Sequence, residues 1–128
     1  MRLEWKFRSD LPIYSQLVER IKIGILSGAL PPGSKLLPVR ELAAEAGVNP
    51  NTMQRAMQEL EREGLVFAQR TAGRFVTEDL AVIETIKKKL AESKLRSFLA
   101  DMAELGYDRS GVAALLAERR EAETDADS

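Results

Sequence analysis

Ile13, Leu17, Ile21 and Ile25 recur at helical spacing, with Tyr14 and Val18 beside them. Gln16, Glu19, Arg20 and Lys22 fall mostly on the opposite side, so the pattern predicts an amphipathic first helix. Asp10 and Pro12 open it, with the proline in the first turn, where its missing N–H does no harm, and Gly28 stands where a C-terminal cap belongs. Before this helix, Leu3, Trp5 and Phe7 alternate with polar residues, which fits a short edge strand or an extended arm. After it, Pro31 to Gly33 (PPG) reads as a turn.

A short second helix is predicted from Pro38 to about Ala46, with Leu42, Ala43 and Ala46 facing inward and Gly47 stopping it. The third follows a tight join, AGVNP. Asn49 can accept hydrogen bonds from the first-turn N–H groups, and Pro50 occupies the first helical position. Met53, Ala56, Met57 and Leu60 form its buried stripe and Gly64 ends it. LVFA, a turn at QRTAG, and RFVT then read as a β-hairpin. Three helices and a hairpin make a winged helix-turn-helix over residues 1–78.

From Asp79 the apolar positions Leu80, Ile83, Ile86 and Leu90, then Leu95, Phe98, Leu99, Met102 and Leu105, predict one long helix ended by Gly106. Asp108 can cap a last helix carrying Val112, Leu115 and Leu116, which is expected to cover part of the long helix's apolar face; the polar tail ERREAETDADS is expected to fray. The predicted class is mainly α (α+β): a winged helix-turn-helix domain followed by a short two-helix region over residues 79–128. The long helix carries more apolar residues than a small winged domain can bury. Ile83, Ile86, Leu90, Leu95, Phe98, Leu99 and Met102 are therefore assigned to a homodimer interface, and packing back on the same chain is the competing reading.

Composition narrows the function by exclusion. The 128 residues include no cysteine and no histidine. That removes disulfides, thiolate chemistry, and the side chain most used as metal ligand and general acid–base. No glycine-rich phosphate loop and no convincing carboxylate pair is present, so no enzyme activity, cofactor or metal is implied. Without an apolar leader or a run of about 20 apolar residues, no membrane association is expected and the default location is the cytoplasm. Net charge is −1, yet residues 1–78 carry 11 Lys and Arg against 9 Asp and Glu, while residues 79–128 carry 8 against 11. The front is mildly basic and the back acidic.

The exposed face at the start of the third helix is Asn51, Thr52 and Arg55, flanked by Gln54 and Gln58. In a helix-turn-helix these positions meet base edges in the major groove. Asn and Gln pair with adenine, Arg forks onto guanine, and a Thr methyl meets thymine; the helix start also favours phosphate. Glu59, Glu61 and Glu63 lie at the far end, where the helix leaves the groove. Arg70 and Arg74 flank the hairpin turn and suit a DNA backbone or a narrow minor groove, against an ordinary surface hairpin. Arg40 has two readings: a phosphate contact, or a surface pair with Glu41 or Glu45. Lys87 to Lys89 fit a solvated helix face better than a DNA flank.

The run GALPPGSKLLPVRELAAEAGVNPNTMQRAMQELEREGLVFAQRTAGRFV resembles the DNA-binding domain of GntR-family bacterial transcription regulators. The resemblance covers roughly Ile13 to Val76 and rests on the paired motifs RELA…GVNPNT and L-E-x-E-G-L-V…G-x-F-V. The NPNT start and the short C-terminal part resemble the YtrA subfamily, in which a pair of helices mediates dimerisation and the large effector domain is absent. The resemblance implies that Arg40 is the DNA-contacting arginine of helix 2. It implies that Asn51, Thr52 and Arg55 are recognition-helix contacts with Asn49 and Gln54 close by, and that Gly73 is the wing glycine nearing the minor groove. Two departures stand out: Leu37 and Pro38 replace a usual Pro-Ser before helix 2, removing a capping hydroxyl, and Thr71 and Arg74 replace a glycine and a threonine of the wing.

The reading that results is a sequence-specific DNA-binding transcriptional regulator, a dimeric repressor of a pseudo-palindromic double-stranded operator. The YtrA resemblance adds a transporter operon as target. The alternative is a winged-helix protein–protein interaction module using the same face, against which the set Arg40, Arg55, Arg70 and Arg74 argues. Nothing in the sequence names a small-molecule effector.

Overall fold

The computed structural model describes the backbone of residues 3–127 and the side chains of residues 3–120. The element order is α1 (Ile13–Leu26), α2 (Val39–Ala46), α3 (Pro50–Arg62), β1 (Val66–Gln69), β2 (Gly73–Val76), α4 (Leu80–Glu104) and α5 (Arg109–Asp127). The chain thus forms a winged helix-turn-helix followed by two helices. Two compact units divide within α4, the first ending at Lys87 and the second beginning at Lys88.

The first unit closes around α3, which packs against α1, α2 and β1. Leu17, Ile21 and Ile25 of α1, Leu42 of α2, and Met53, Met57 and Leu60 of α3 are essentially fully buried, joined by Leu30, Leu65 and Val76. The spacing within each helix is three or four residues, so one stripe per helix converges on one core. Ile83, in the first turn of α4, is buried as well. The α2–α3 join turns at Gly47, whose φ of 70° is the left-handed conformation a C-terminal glycine cap adopts.

Leu3, Trp5 and Phe7 form an extended arm without strand pairing. Leu3 lies over α1 at Gly24, where a Cβ would come within 2.8 Å of its Cδ2. That close approach accounts for a glycine inside a helix, a position that otherwise costs about 1 kcal/mol relative to alanine. Pro12 is the residue before the first turn of α1 and gives no side-chain cap. Gln16 ties the arm down instead. Its Oε1 accepts from the Arg8 N–H (2.7 Å) and its Nε2 donates to the Arg8 and Leu11 carbonyls (2.8 and 3.0 Å).

The hairpin pairs Val66 with Val76 and Gln69 with Gly73, and Phe67 stacks on Phe75 across the strands at 5.8 Å. The segment after PPG is more than a turn. Leu36 N–H donates to the Arg74 carbonyl and Val76 N–H to the Ser34 carbonyl, both at 2.9 Å, so residues 33–36 pair along the outer edge of β2. The wing is thereby anchored beside the start of α2.

In the second unit, Asp108 caps α5 by accepting from the Gly111 N–H at 2.8 Å. Among the described residues α5 does not run closely along α4, although Val112 near its start is buried. The four residues between them contain Gly106 at φ 94°, which redirects the chain. The α5 backbone continues to Asp127, through the stretch expected to fray; the side chains of residues 121–128 lie outside the described residues.

Candidate nucleic-acid interface

The start of α3 is built by Asn49. Its Oδ1 accepts from the Asn51 N–H at 2.8 Å, and Pro50 follows as the first helical residue. The cap leaves the Asn49 amide nitrogen unoccupied by this bond. Asn51 and Arg55 are exposed, and Thr52 and Gln54 are half-buried.

An open groove of about 470 Å³ lies beside this helix, between the start of α2 and the wing. Arg40, Gln54, Gly73 and Arg74 line it together with Lys35. Four predicted positions from three separate elements thus converge. Arg40 is exposed and, among the described residues, pairs with neither Glu41 nor Glu45. Gly73 sits at φ 108°, and a Cβ there would lie 3.1 Å from Lys35 Cε. Arg70 is exposed in the hairpin turn. Asn49, Asn51, Thr52, Arg55 and Arg70 do not line the groove.

Lys35 was not singled out from sequence. It is a lone lysine in a loop, with no periodicity around it; only the pairing of residues 33–36 with β2 brings it to the wing glycine.

Arg74 has a different environment from Arg70. Its Nε donates to Glu61 Oε1 of α3 at 2.5 Å, with both side chains mostly buried. The other two acids at the far end of α3 are also paired. Glu63 binds Lys22 of α1 at 2.7 Å, and Glu59 binds Arg62. The hydrogen bond and charge of Glu59 raise the Arg62 guanidinium pKa above its already high ordinary value. The acids on the far half of α3 are therefore each paired with a cation, while among the described residues Lys35, Arg40 and Arg55 have no carboxylate partner. Arg55 lies over the Tyr14 ring of α1, 4.7 Å from the centroid.

The residues assigned to dimerisation are unevenly disposed. Ile83 belongs to the buried core. Ile86, Leu90, Leu99 and Met102 are half-buried, and Leu95 and Phe98 are exposed. Leu105, Tyr107 and Leu116 are exposed apolar residues of the second unit that the assignment omitted.

A family profile described as bacterial regulatory proteins, gntR family, matches residues 13–76, which hold all of α1 to β2. The chain belongs to the GntR family. It is 38% identical over 101 residues to the HTH-type transcriptional repressor YtrA of Bacillus subtilis (strain 168), covering 79% of this chain and 73% of YtrA. Among solved structures, a GntR family transcriptional regulator from Listeria monocytogenes superposes with a TM-score of 0.82 at 37% identity, covering 88% of this chain and 98% of that one. The DNA-binding domain of AraR, solved in complex with operator ORX1, superposes with a TM-score of 0.54 at 30% identity, over 60% of this chain and 99% of that one. This GntR-family chain is a DNA-binding transcriptional regulator and not an enzyme. Among the described residues no helix is long and apolar enough to cross a membrane.

Proposed function

We propose that this regulator is a homodimeric, cytoplasmic repressor that binds a pseudo-palindromic operator through the start of α3 and the wing. The observation that carries the reading is the convergence of Lys35, Arg40, Gln54 and Gly73 on one open groove beside a capped helix start. Cations without carboxylate partners suit phosphates, and amide and guanidinium groups on α3 suit base edges. In this reading Arg40, Arg70 and Lys35 hold the backbone, Asn51, Thr52, Gln54 and Arg55 face bases with Asn49 at the helix start, and Gly73 allows the wing a close approach. Arg74 serves through its bond to Glu61, by holding the wing against α3.

Residues 1–78 act as the DNA-binding domain and 79–128 as the dimerisation region. A second copy supplies the missing cover for Leu95, Phe98, Leu105 and Leu116, which a soluble monomer leaves in water. Twofold symmetry then sets two recognition helices on one face of the duplex, with half-site centres about 10 bp apart or a multiple of that. Repression follows from promoter occupancy and is supported by the likeness to YtrA, itself named a repressor.

The test is a binding-site selection from random DNA at about 150 mM salt. An enriched pseudo-palindrome, bound with a log–log salt slope near −5 for about six phosphates per dimer, is the expected result. Binding without enrichment removes sequence recognition, and no binding removes the assignment of this face to DNA. Transcription in vitro from a promoter carrying the selected site is expected to fall when the protein is added.

A further inference from the structure

Arg55 is long, flexible and exposed, and by helix geometry its natural partner is the carboxylate four residues on, Glu59. That pairing does not form. Glu59 is held by Arg62, whose Nη2 lies 2.7 Å from Oε1 and 2.5 Å from Oε2. Arg55 instead lies over the ring of Tyr14, from the first turn of α1, with its Cζ 4.7 Å from the ring centroid. Tyr14 is half-buried and sits one turn before Leu17 and Val18, which are buried, so the ring stands on the packed face between α1 and α3.

The two ways of holding an arginine differ in what they leave available. A carboxylate binds the guanidinium edge and occupies the N–H donors that a guanine or a phosphate needs. An aromatic ring binds the face and leaves the in-plane donors open. Ring contact also removes rotamers from a side chain that otherwise loses them on binding, so less ordering cost remains when DNA arrives.

We propose that Tyr14 is a positioning residue for DNA reading: its ring holds Arg55 off the acids of α3 with its hydrogen-bonding edge open to the duplex. The inference rests on the reading of Arg55 as a base contact given above. Arg62 takes part by occupying Glu59. The consequence is that a residue of α1, outside the helix-turn-helix proper, contributes to specificity at the base pair read by Arg55.

The experiment measures affinity for the selected operator, and for operators changed at single base pairs, with Tyr14→Leu, Tyr14→Phe, Arg55→Ala and the double variant Tyr14→Leu/Arg55→Ala. Tyr14→Leu is expected to weaken operator binding about two- to fivefold, the range of an exposed cation–π contact, and to flatten the preference at one base pair. Tyr14→Phe keeps the ring and is expected to bind like the parent. In the Arg55→Ala background Tyr14→Leu is expected to change nothing further.

Equal losses from Tyr14→Leu with and without Arg55 overturn the proposal, as does a Phe variant no better than Leu. Arg55→Ala binding the selected site unchanged removes the underlying reading instead, which separates the two failures. A readout independent of DNA and of the leucine variant's fold is the NMR shift of the Arg55 Hδ protons in the free protein. Stacking on the ring moves them upfield, and ordinary random-coil shifts overturn the contact.

Discussion

Leu60 of α3 and Phe98 of α4 are both large apolar residues on helices, yet Leu60 is 0% exposed and Phe98 44%. The difference lies in what each helix meets. Around α3, stripes from α1 and α2 and the edge of the hairpin close from three sides, and the acids on its far half each find a cation. Around the second half of α4 the described residues close only partly, leaving Leu90, Leu99 and Met102 half-buried. Residues 91–98 are exposed all the way round, and α5 departs without packing along them. Of the buried apolar residues described, only Val112 belongs to the second unit. One unit thus closes a core of its own, and the other leaves Leu95, Phe98, Leu105 and Leu116 exposed.

That contrast is most sharply tested by truncating a residue in each unit. Leu60→Ala removes fully buried methyl groups from the centre of the first core and is expected to lower stability by about 2–5 kcal/mol. Urea unfolding is expected to show the loss at every protein concentration. Leu95→Ala, at 55% exposure, is expected to change the stability of a separated monomer by less than about 0.5 kcal/mol. A large monomer effect at Leu95 removes the distinction between the units.

Next in size is the interface itself. Phe98→Asp inserts a charge into the exposed apolar face and is expected to give monomers by sedimentation velocity, with the winged unit still folded by circular dichroism. Losing the second half-site contact is expected to weaken operator binding about 100-fold. A variant that remains dimeric places the interface on other residues, and the exposed Leu105 and Leu116 are then the positions to change.

Smaller again is Lys22→Met. Lys22 and Glu63 are only 18% and 27% exposed, and Glu63 Oε2 has no second partner. Removing the lysine leaves a mostly buried carboxylate unpaired, at an expected cost of about 1–3 kcal/mol. Adding Glu63→Gln is expected to recover part of that loss, and a double variant no better than the single shows the pair to be solvated.

The parts of the molecule legible in the sequence are those written in local periodicity and caps. The stripes Leu17–Ile21–Ile25 and Met53–Met57–Leu60, the Asn49 cap and the Gly47 turn repeat every few residues or depend on near neighbours, and each element formed where its pattern stands. What escaped depends on distant contacts. The pairing of residues 33–36 with β2 has no alternating pattern to announce it, and so Lys35 was missed. Gln16 looks like a solvated helix residue until the arm folds back onto it. The separation of α4 from α5 follows from a four-residue connection whose direction no hydrophobic count reveals.

Arg70 and Arg74 give the finest version of the same lesson, because they are alike in sequence and differ only in register. Arg74 pairs with Ala68 across the hairpin and reaches Glu61, whereas Arg70 stands in the turn, exposed and without an ion-pair partner among the described residues. Their substitutions are therefore expected to separate two readouts. Arg70→Gln removes a phosphate contact from each protomer and is expected to reduce the salt slope of operator binding by about 2 per dimer, with stability unchanged. Arg74→Gln is expected to leave that slope nearly intact and to lower stability by about 0.5–1 kcal/mol, the modest value of a partly exposed pair. Glu61→Gln carries the argument one step further: it releases Arg74 from α3, so the slope is expected to steepen by up to about 2 per dimer. A slope that stays constant in Glu61→Gln while falling in Arg70→Gln shows that the turn faces the backbone and that Arg74 points away from it even when free.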